Sequence, residues 1–329
     1  MTSVKTLLVN LGLDWFLFAI IAMVCLAYLF PGPGILQDPI SLSELANYGV
    51  SGIFFFYGLK LDTEKLKTGL ANWRMHLVIQ STTFIFFPLL ILMIKLCFKT
   101  VNAEHLWFGI FFLAALPSTV SSSVVMVSIA QGNIPGAIFN ASISALIGVF
   151  VTPLWIGLVL QRDTGNFDMT NIVLKLALQV LLPVVIGMAL NKRFGYFADK
   201  HKKGLKNFDQ VIILLIIYTS FCKSFTEHLF ENMTILEIIF LSSGMLFLFL
   251  VVMLFMKFIS TLLKFNKGDT VTVMFCGSKK SLVHGTVMSG ILFAGNPMAG
   301  FILLPLMLYH GIQLIAASLI AKRMASANY

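Results

Sequence analysis

Long apolar stretches separated by short polar segments account for nearly the whole chain. They fall at about residues 14–30, 45–59, 76–97, 105–131, 134–160, 170–190, 208–222, 234–258, 268–294 and 297–321. A helix crossing a bilayer needs about 20 apolar residues, so this pattern predicts an all-α polytopic membrane protein of about ten transmembrane helices. One connection, 60–74 (KLDTEKLKTGLANWR), mixes charges with apolar residues at helical spacing. It reads either as an amphipathic helix lying along the inner membrane surface or as a solvated loop.

Composition narrows the class. Of 329 residues, 58% are hydrophobic and 11% charged, with a mean hydropathy of +0.92. So few charges cannot clothe a water-facing surface, which excludes a soluble enzyme and a disordered chain. The formal charge of +9 does not point to nucleic acid, because the basic residues sit in short segments between apolar runs. With the amino terminus inside, 16 of the 23 Lys and Arg lie on inner segments and four (Lys95, Lys99, Arg162, Lys223) on outer ones. Lys175, Lys279 and Lys280 remain within spans. The bias places both termini in the cytoplasm, for a multi-pass protein of the plasma (inner) membrane. No small-residue cleavage site follows the first run, which reads as a retained span. Cys25, Cys97, Cys222 and Cys276 are scattered, without disulfide or zinc spacing.

Two spans differ from the rest. Residues 111–133 read FFLAALPSTVSSSVVMVSIAQGN, and residues 271–296 read VTVMFCGSKKSLVHGTVMSGILFAGN. The first carries Pro117, Ser118, Thr119, Ser121, Ser122 and Ser123 at mid-depth. The second carries Gly277, Ser278, Lys279, Lys280, Ser281, His284 and Thr286. Proline removes an intrahelical hydrogen bond and small hydroxyl side chains offer substitutes, so both spans are expected to be discontinuous. Such backbone is tolerated at that depth only inside protein or against water. Both also fit V-x-x-[Ser/Thr]-V-x7-Gly-Asn, from Val120 and from Val283, at an offset of 163 residues. Five spans per half is an odd number, which inverts the second half relative to the first. Residues 1–160 and 161–329 are therefore expected to form two inverted five-helix repeats, the arrangement of many secondary transporters.

The candidate binding residues follow from this. Asp14, Glu44 and Glu237 lie near span ends, so the buried charge is positive: Lys279 and Lys280, adjacent and about 100° apart on a helix. One is expected to face a cavity and the other to pack on carbonyls of the fourth span. Ser118, Thr119, Ser121, Ser122, Ser123, Ser278, Ser281 and His284 are candidates beside them, although serines also serve close helix packing and His284 reads more readily as a packed polar residue than as a proton carrier. Asn140 and Ser144, one turn apart, and Gln80 and Thr83 are further candidates. Lys175 is expected to snorkel to the surface.

At these residues the chain resembles the bile acid:sodium symporter family, in the branch of sodium/bile acid cotransporter 7. The matching stretches are FFFYGLKL (54–61), LPSTVSSSVVM (116–126), FNA (139–141), TPLW (152–155) and CGSKKSLVHGTVM (276–288). The resemblance implies panel and core domains, fourth and ninth spans unwound where they cross, and a substrate cavity between the domains. Coupling is where the chain departs. The better-known symporters carry Ser-Asn after the first break, where Ser122-Ser123 stands here, and Glu-x-Gly-x-Gln-Asn-Ser in the ninth span, where Phe275 to Ser281 read FCGSKKS. Their Gln-aromatic-x-x-Met-Pro window in the third span is Thr83 to Pro88 here. The sodium-ligating Glu and Gln are missing.

The expectation is a carrier for a small organic anion working by alternating access, with no cofactor, and with Lys279 or Lys280 supplying the charge that relatives take from sodium. One alternative keeps sodium on hydroxyls and carbonyls alone, with Ser122 and Ser123 as weak ligands. Another is a non-transporting membrane regulator of ion homeostasis with the same fold. A membrane enzyme is disfavoured, since no catalytic triad or carboxylate pair shares one depth. Lipid is the expected surroundings; substrate identity and oligomeric state are not encoded in any motif.

Overall fold

The computed structural model describes residues 15–36, 41–60, 72–97, 104–164, 174, 177–231 and 233–326. Helices cover the predicted apolar runs: α1 (Trp15–Leu29), α2 (Leu42–Lys60), α3 (Trp73–Ser81, continued by Thr82–Phe86 and Phe87–Cys97), α4 (Glu104–Ala115), α5 (Ser121–Ile129), α6 (Ile134–Thr164), α7 (Leu182–Lys200), α8 (Lys202–Thr226), α9 (Ile235–Leu262), α10 (Lys267–Gly277), α11 (Leu282–Leu292) and α12 (Ala299–Ser326). No strand occurs among the described residues. Among the described residues, six helical segments are long and apolar enough to cross a membrane: Trp73–Lys95, Ile134–Val159, Leu178–Lys200, Lys202–Thr226, Ile235–Leu262 and Ala299–Ser326. Most of the 60–74 connection, together with Lys175 and Asp14, lies outside the described residues.

Local sequence fixes several helix ends. Glu237 N–H donates to Thr234 Oγ1 while Thr234 N–H donates to Glu237 Oε2, a reciprocal cap on α9. Asn266 Oδ1 accepts from Asp269 N–H at the start of α10, and Ser281 Oγ accepts from His284 N–H at the start of α11. In α3, residues Thr82–Phe86 widen into a π-helical turn. Phe87 N–H returns to the Thr82 carbonyl, five residues back; Pro88 has no N–H to return in the same register, so the Thr83 carbonyl stays open to another donor.

The helices pack in two groups. In one, α2 lies along α7 while α8 lies against α1 and α2. The α2–α7 seam is unusually tight: a Cβ on Gly58 would sit 2.2 Å from the Val184 carbonyl oxygen, and one on Gly187 would sit 2.2 Å from that of Phe55. In the other group, α4 and α9 pack on α12, α9 on α10, and α5 on α6. The groups meet mainly where α8 touches α11 and α12. Large apolar side chains such as Phe240, Phe247, Leu254 and Phe258 of α9 face outward, as expected where hydrocarbon is the solvent.

The two interruptions are narrower than the polar runs suggested. Non-helical backbone occupies 116–120 and 278–281. Ser121, Ser122 and Ser123 form the first turn of α5 rather than part of the break.

Candidate functional site

The breaks are joined to each other by their exposed backbone groups. Pro117 ends α4, leaving its last carbonyls without helical partners. Ser281 N–H donates to the Pro117 carbonyl at 2.9 Å, and Ser118 Oγ donates to the Cys276 carbonyl at 2.5 Å. Thr152 Oγ1 donates to the Ala115 carbonyl at 2.7 Å. Ser118 N–H in turn donates to Ser144 Oγ at 3.0 Å. Tyr309 OH donates to the Ser278 carbonyl at 2.6 Å.

Lys280 completes this junction. Its Nζ donates to the carbonyls of Ala114 (2.6 Å), Leu116 (2.8 Å) and Thr83 (2.8 Å), and lies 4.2 Å from the centre of the Phe87 ring. Three acceptors match the three donors of an ammonium; a neutral amine has only two. The cation thus sits where the negative end of the α4 dipole meets the open carbonyl of α3. Its own backbone is held by Gln313, whose Oε1 accepts from Lys280 N–H (2.9 Å) and whose Nε2 donates to the Lys280 carbonyl (2.8 Å).

Lys279 points elsewhere. It too is fully buried, but its Nζ donates to a single group among the described residues, Ser122 Oγ at 3.1 Å. Ser122 belongs to a hydroxyl cluster in which Thr119 Oγ1 lies 2.9 Å from Ser122 Oγ and 2.7 Å from Ser123 Oγ. Ser123 Oγ also reaches the Phe275 carbonyl at 3.4 Å.

A cavity of about 420 Å³ opens between the two helix groups beside this cluster. One wall is α1, α2 and α8, with Phe54, Tyr57, Lys60, Lys206, Asp209 and Gln210; the other is 119–122, 281–284, Ser142, His310 and Leu314. The first turns of α5 and α11 both reach it, through Ser121, Ser122, Leu282, Val283 and His284. His284 bonds Ser281 Oγ through Nδ1 at 2.9 Å and lies edge-on to Phe54 and Tyr57. At the mouth, Lys60 Nζ stands 3.8 Å from Asp209 Oδ2.

Of the residues singled out from sequence, Thr119, Ser121, Ser122, Ser281 and His284 line the cavity. Ser118, Ser123, Ser144, Ser278, Thr83 and Lys280 lie in the junction behind it. Asn140 and Gln80 form a separate cluster with His76: Asn140 Nδ2 is 2.6 Å from His76 Nδ1, and Gln80 Nε2 donates to Asn140 Oδ1 at 3.2 Å. The sequence reading passed over Gln313, Tyr309, Thr152 and Asp209. The first two are one helical turn apart on an otherwise apolar helix, with His310 three residues before Gln313, which is the signal that could have found them. No cluster of metal-binding side chains occurs among the described residues.

A model of the SBF-like CPA transporter family (DUF4137) matches residues 14–326. The chain is 36% identical over 316 residues to the putative symporter YfeH of Escherichia coli K12, covering 94% of this chain and 92% of that protein. It is 30% identical over 311 residues to sodium/bile acid cotransporter 7 of Danio rerio, covering 93% and 92%. It is 32% identical over 329 residues to sodium/bile acid cotransporter 7-A of Xenopus laevis, covering 97% and 94%. The helical membrane architecture and these matches along nearly its whole length lead to one conclusion: the chain is a multi-pass membrane protein that belongs to the SBF-like CPA transporter family, within the bile acid:sodium symporters.

Proposed function

We propose that the protein is a secondary carrier for a small organic anion, working by alternating access between inverted repeats 1–160 and 161–329, with ten spans and both termini in the cytoplasm of the plasma membrane. The panel corresponds to α1, α2, α7 and α8, and the core to the remaining helices. The observation that carries the reading is the placement of Lys280 on three carbonyls at the meeting of two broken helices, the kind of position a coordinated cation would fill. With that charge built in, the adjoining cavity offers an anion the hydroxyls of Thr119, Ser121 and Ser122 and the first turns of α5 and α11, with Lys279 one hydroxyl behind the wall on Ser122. Its apolar wall of Phe16, Ile53, Phe54, Val287 and Leu314 suits the organic body. The names of the vertebrate relatives, which pair sodium with bile acid, agree with an organic anion of some bulk.

The test is counterflow in proteoliposomes with a panel of labelled organic anions, in sodium and in choline buffers. Exchange that persists in choline and falls at least about tenfold in Lys279→Met supports the reading. Exchange undiminished by Lys279→Met overturns it. A second reading has one observation in its favour, the hydroxyl triad of Thr119, Ser122 and Ser123 beside the Phe275 carbonyl, which could hold sodium without a carboxylate. Exchange lost in choline selects that reading.

A further inference from the structure

A second cavity, of about 210 Å³, lies at the opposite end of the same seam between the helix groups. It is formed by the chain around Gly34–Leu36, the start of α2, the end of α8, and the turn between α11 and α12. The two cavities are nearly in line. On α8, Ile213 lines the first and Ile216 the second; on α11, Val287 lines the first and Ser289 the second. One turn of apolar packing separates them.

The second cavity has its own chemistry. Its polar lining includes Asn47, Thr219, Lys223, Ser289 and Asn296, and no carboxylate lines it among the described residues. The first cavity, by contrast, has Asp209 at its mouth. Ser289 is fully buried, and its hydroxyl has no hydrogen-bond partner among the described residues. A buried hydroxyl without a partner in the wall of a polar cavity is a group waiting for a ligand atom.

Lys223 does more than line this space. Its Nζ donates to the Gly295 carbonyl, across from α8 to the turn that follows α11. The adjacent Ser224 donates to the Pro297 carbonyl at 2.5 Å and accepts from Gly300 N–H at 3.2 Å. The approach leaves no room for a side chain, since a Cβ on Gly300 would sit 2.7 Å from Ser224 Oγ. These three bonds tie the two helix groups together at this end of the seam.

We propose that the second cavity is an anion-binding site and that Lys223 is its bolt. An incoming carboxylate or comparable anion competes with the Gly295 carbonyl for the Lys223 ammonium, with Asn47, Asn296 and Ser289 supplying neutral donors. A charged acceptor outcompetes a neutral one for the same ammonium, so binding frees the turn and loosens the closure at this end. The opening step rests on the alternating-access reading; the anion preference of the cavity does not.

The experiment uses the whole protein in liposomes and two membrane-impermeant thiosulfonate reagents, one sulfonated and one trimethylammonium. Labelling of the natural cysteines in the wild-type chain gives the baseline. At Ser43→Cys, on the cavity rim, the anionic reagent reacts at least about fivefold faster than the cationic one, after correction for their rates with a free thiol. Lys223→Gln brings the ratio to about one, and Lys223→Arg keeps it. At Ser289→Cys, labelling rises at least tenfold when Lys223→Gln is added. A ratio near one with Lys223 present overturns the site, and Ser289→Cys rates unchanged by Lys223→Gln overturn the bolt. If anion counterflow fails while the labelling preference holds, the carrier reading falls and the site stands.

Discussion

Lys279 and Lys280 are neighbours in sequence and equally buried, yet the structure uses them in opposite ways. Lys280 spends every Nζ N–H on a backbone carbonyl, one in α3 and two at the end of α4, and its own peptide is clasped by Gln313. Lys279 keeps one hydroxyl partner beside a cavity. The first resembles a structural ion and the second a working group. Burial alone therefore does not say what a charge in a membrane is for; the number of its donors already engaged does. Removing one partner of a satisfied buried ionic arrangement is costly, whereas removing an under-satisfied charge can be neutral or stabilising.

The contrast can be broken by substitution. The largest effect belongs to Lys280→Met, which strands the carbonyls of Thr83, Ala114 and Leu116. A loss of about 3–5 kcal/mol is expected, seen as a collapse of the monodisperse peak in detergent and a steep fall in melting temperature. Gln313→Leu comes next, because two hydrogen bonds to the Lys280 peptide disappear; about 2 kcal/mol is expected, by the same thermal measurement. Lys279→Met should leave the melting temperature unchanged or raised while anion exchange is lost. A Lys279→Met protein as unstable as Lys280→Met would erase the distinction. Ser122→Ala is the mildest, about 1 kcal/mol, with exchange weakened rather than abolished.

Much of this arrangement was legible in the chain. Apolar run lengths located the helices, and Pro117 with its hydroxyl neighbours, like the Lys pair between apolar flanks, marked the places where helix gives way. Adjacent positions on a helix point in different directions, so a division of labour between Lys279 and Lys280 was foreseeable, though not which would take which part. That depended on Pro88, whose missing N–H opens the Thr83 carbonyl a turn away in space from the end of α4. No local pattern reports such a meeting between α3, α4 and the second break. Gln313 and Tyr309 were hidden for a related reason: a polar residue on an apolar helix declares that it needs a partner, but not which one. Asn140 was expected with Ser144, one turn along α6. Instead, Ser144 turns to Ser118, and Asn140 to His76 and Gln80, because each has a nearer donor or acceptor on a different neighbouring element.

The paired glycines at the α2–α7 seam have a practical corollary. With Gly58 against the Val184 carbonyl and Gly187 against that of Phe55, the two rods touch main chain to main chain, and a slip of one residue would drive a side chain into a peptide. That makes them a single plank, the natural mounting point for a fusion partner or imaging label. A marker fixed there would report any movement of the remaining helices against it without blurring it.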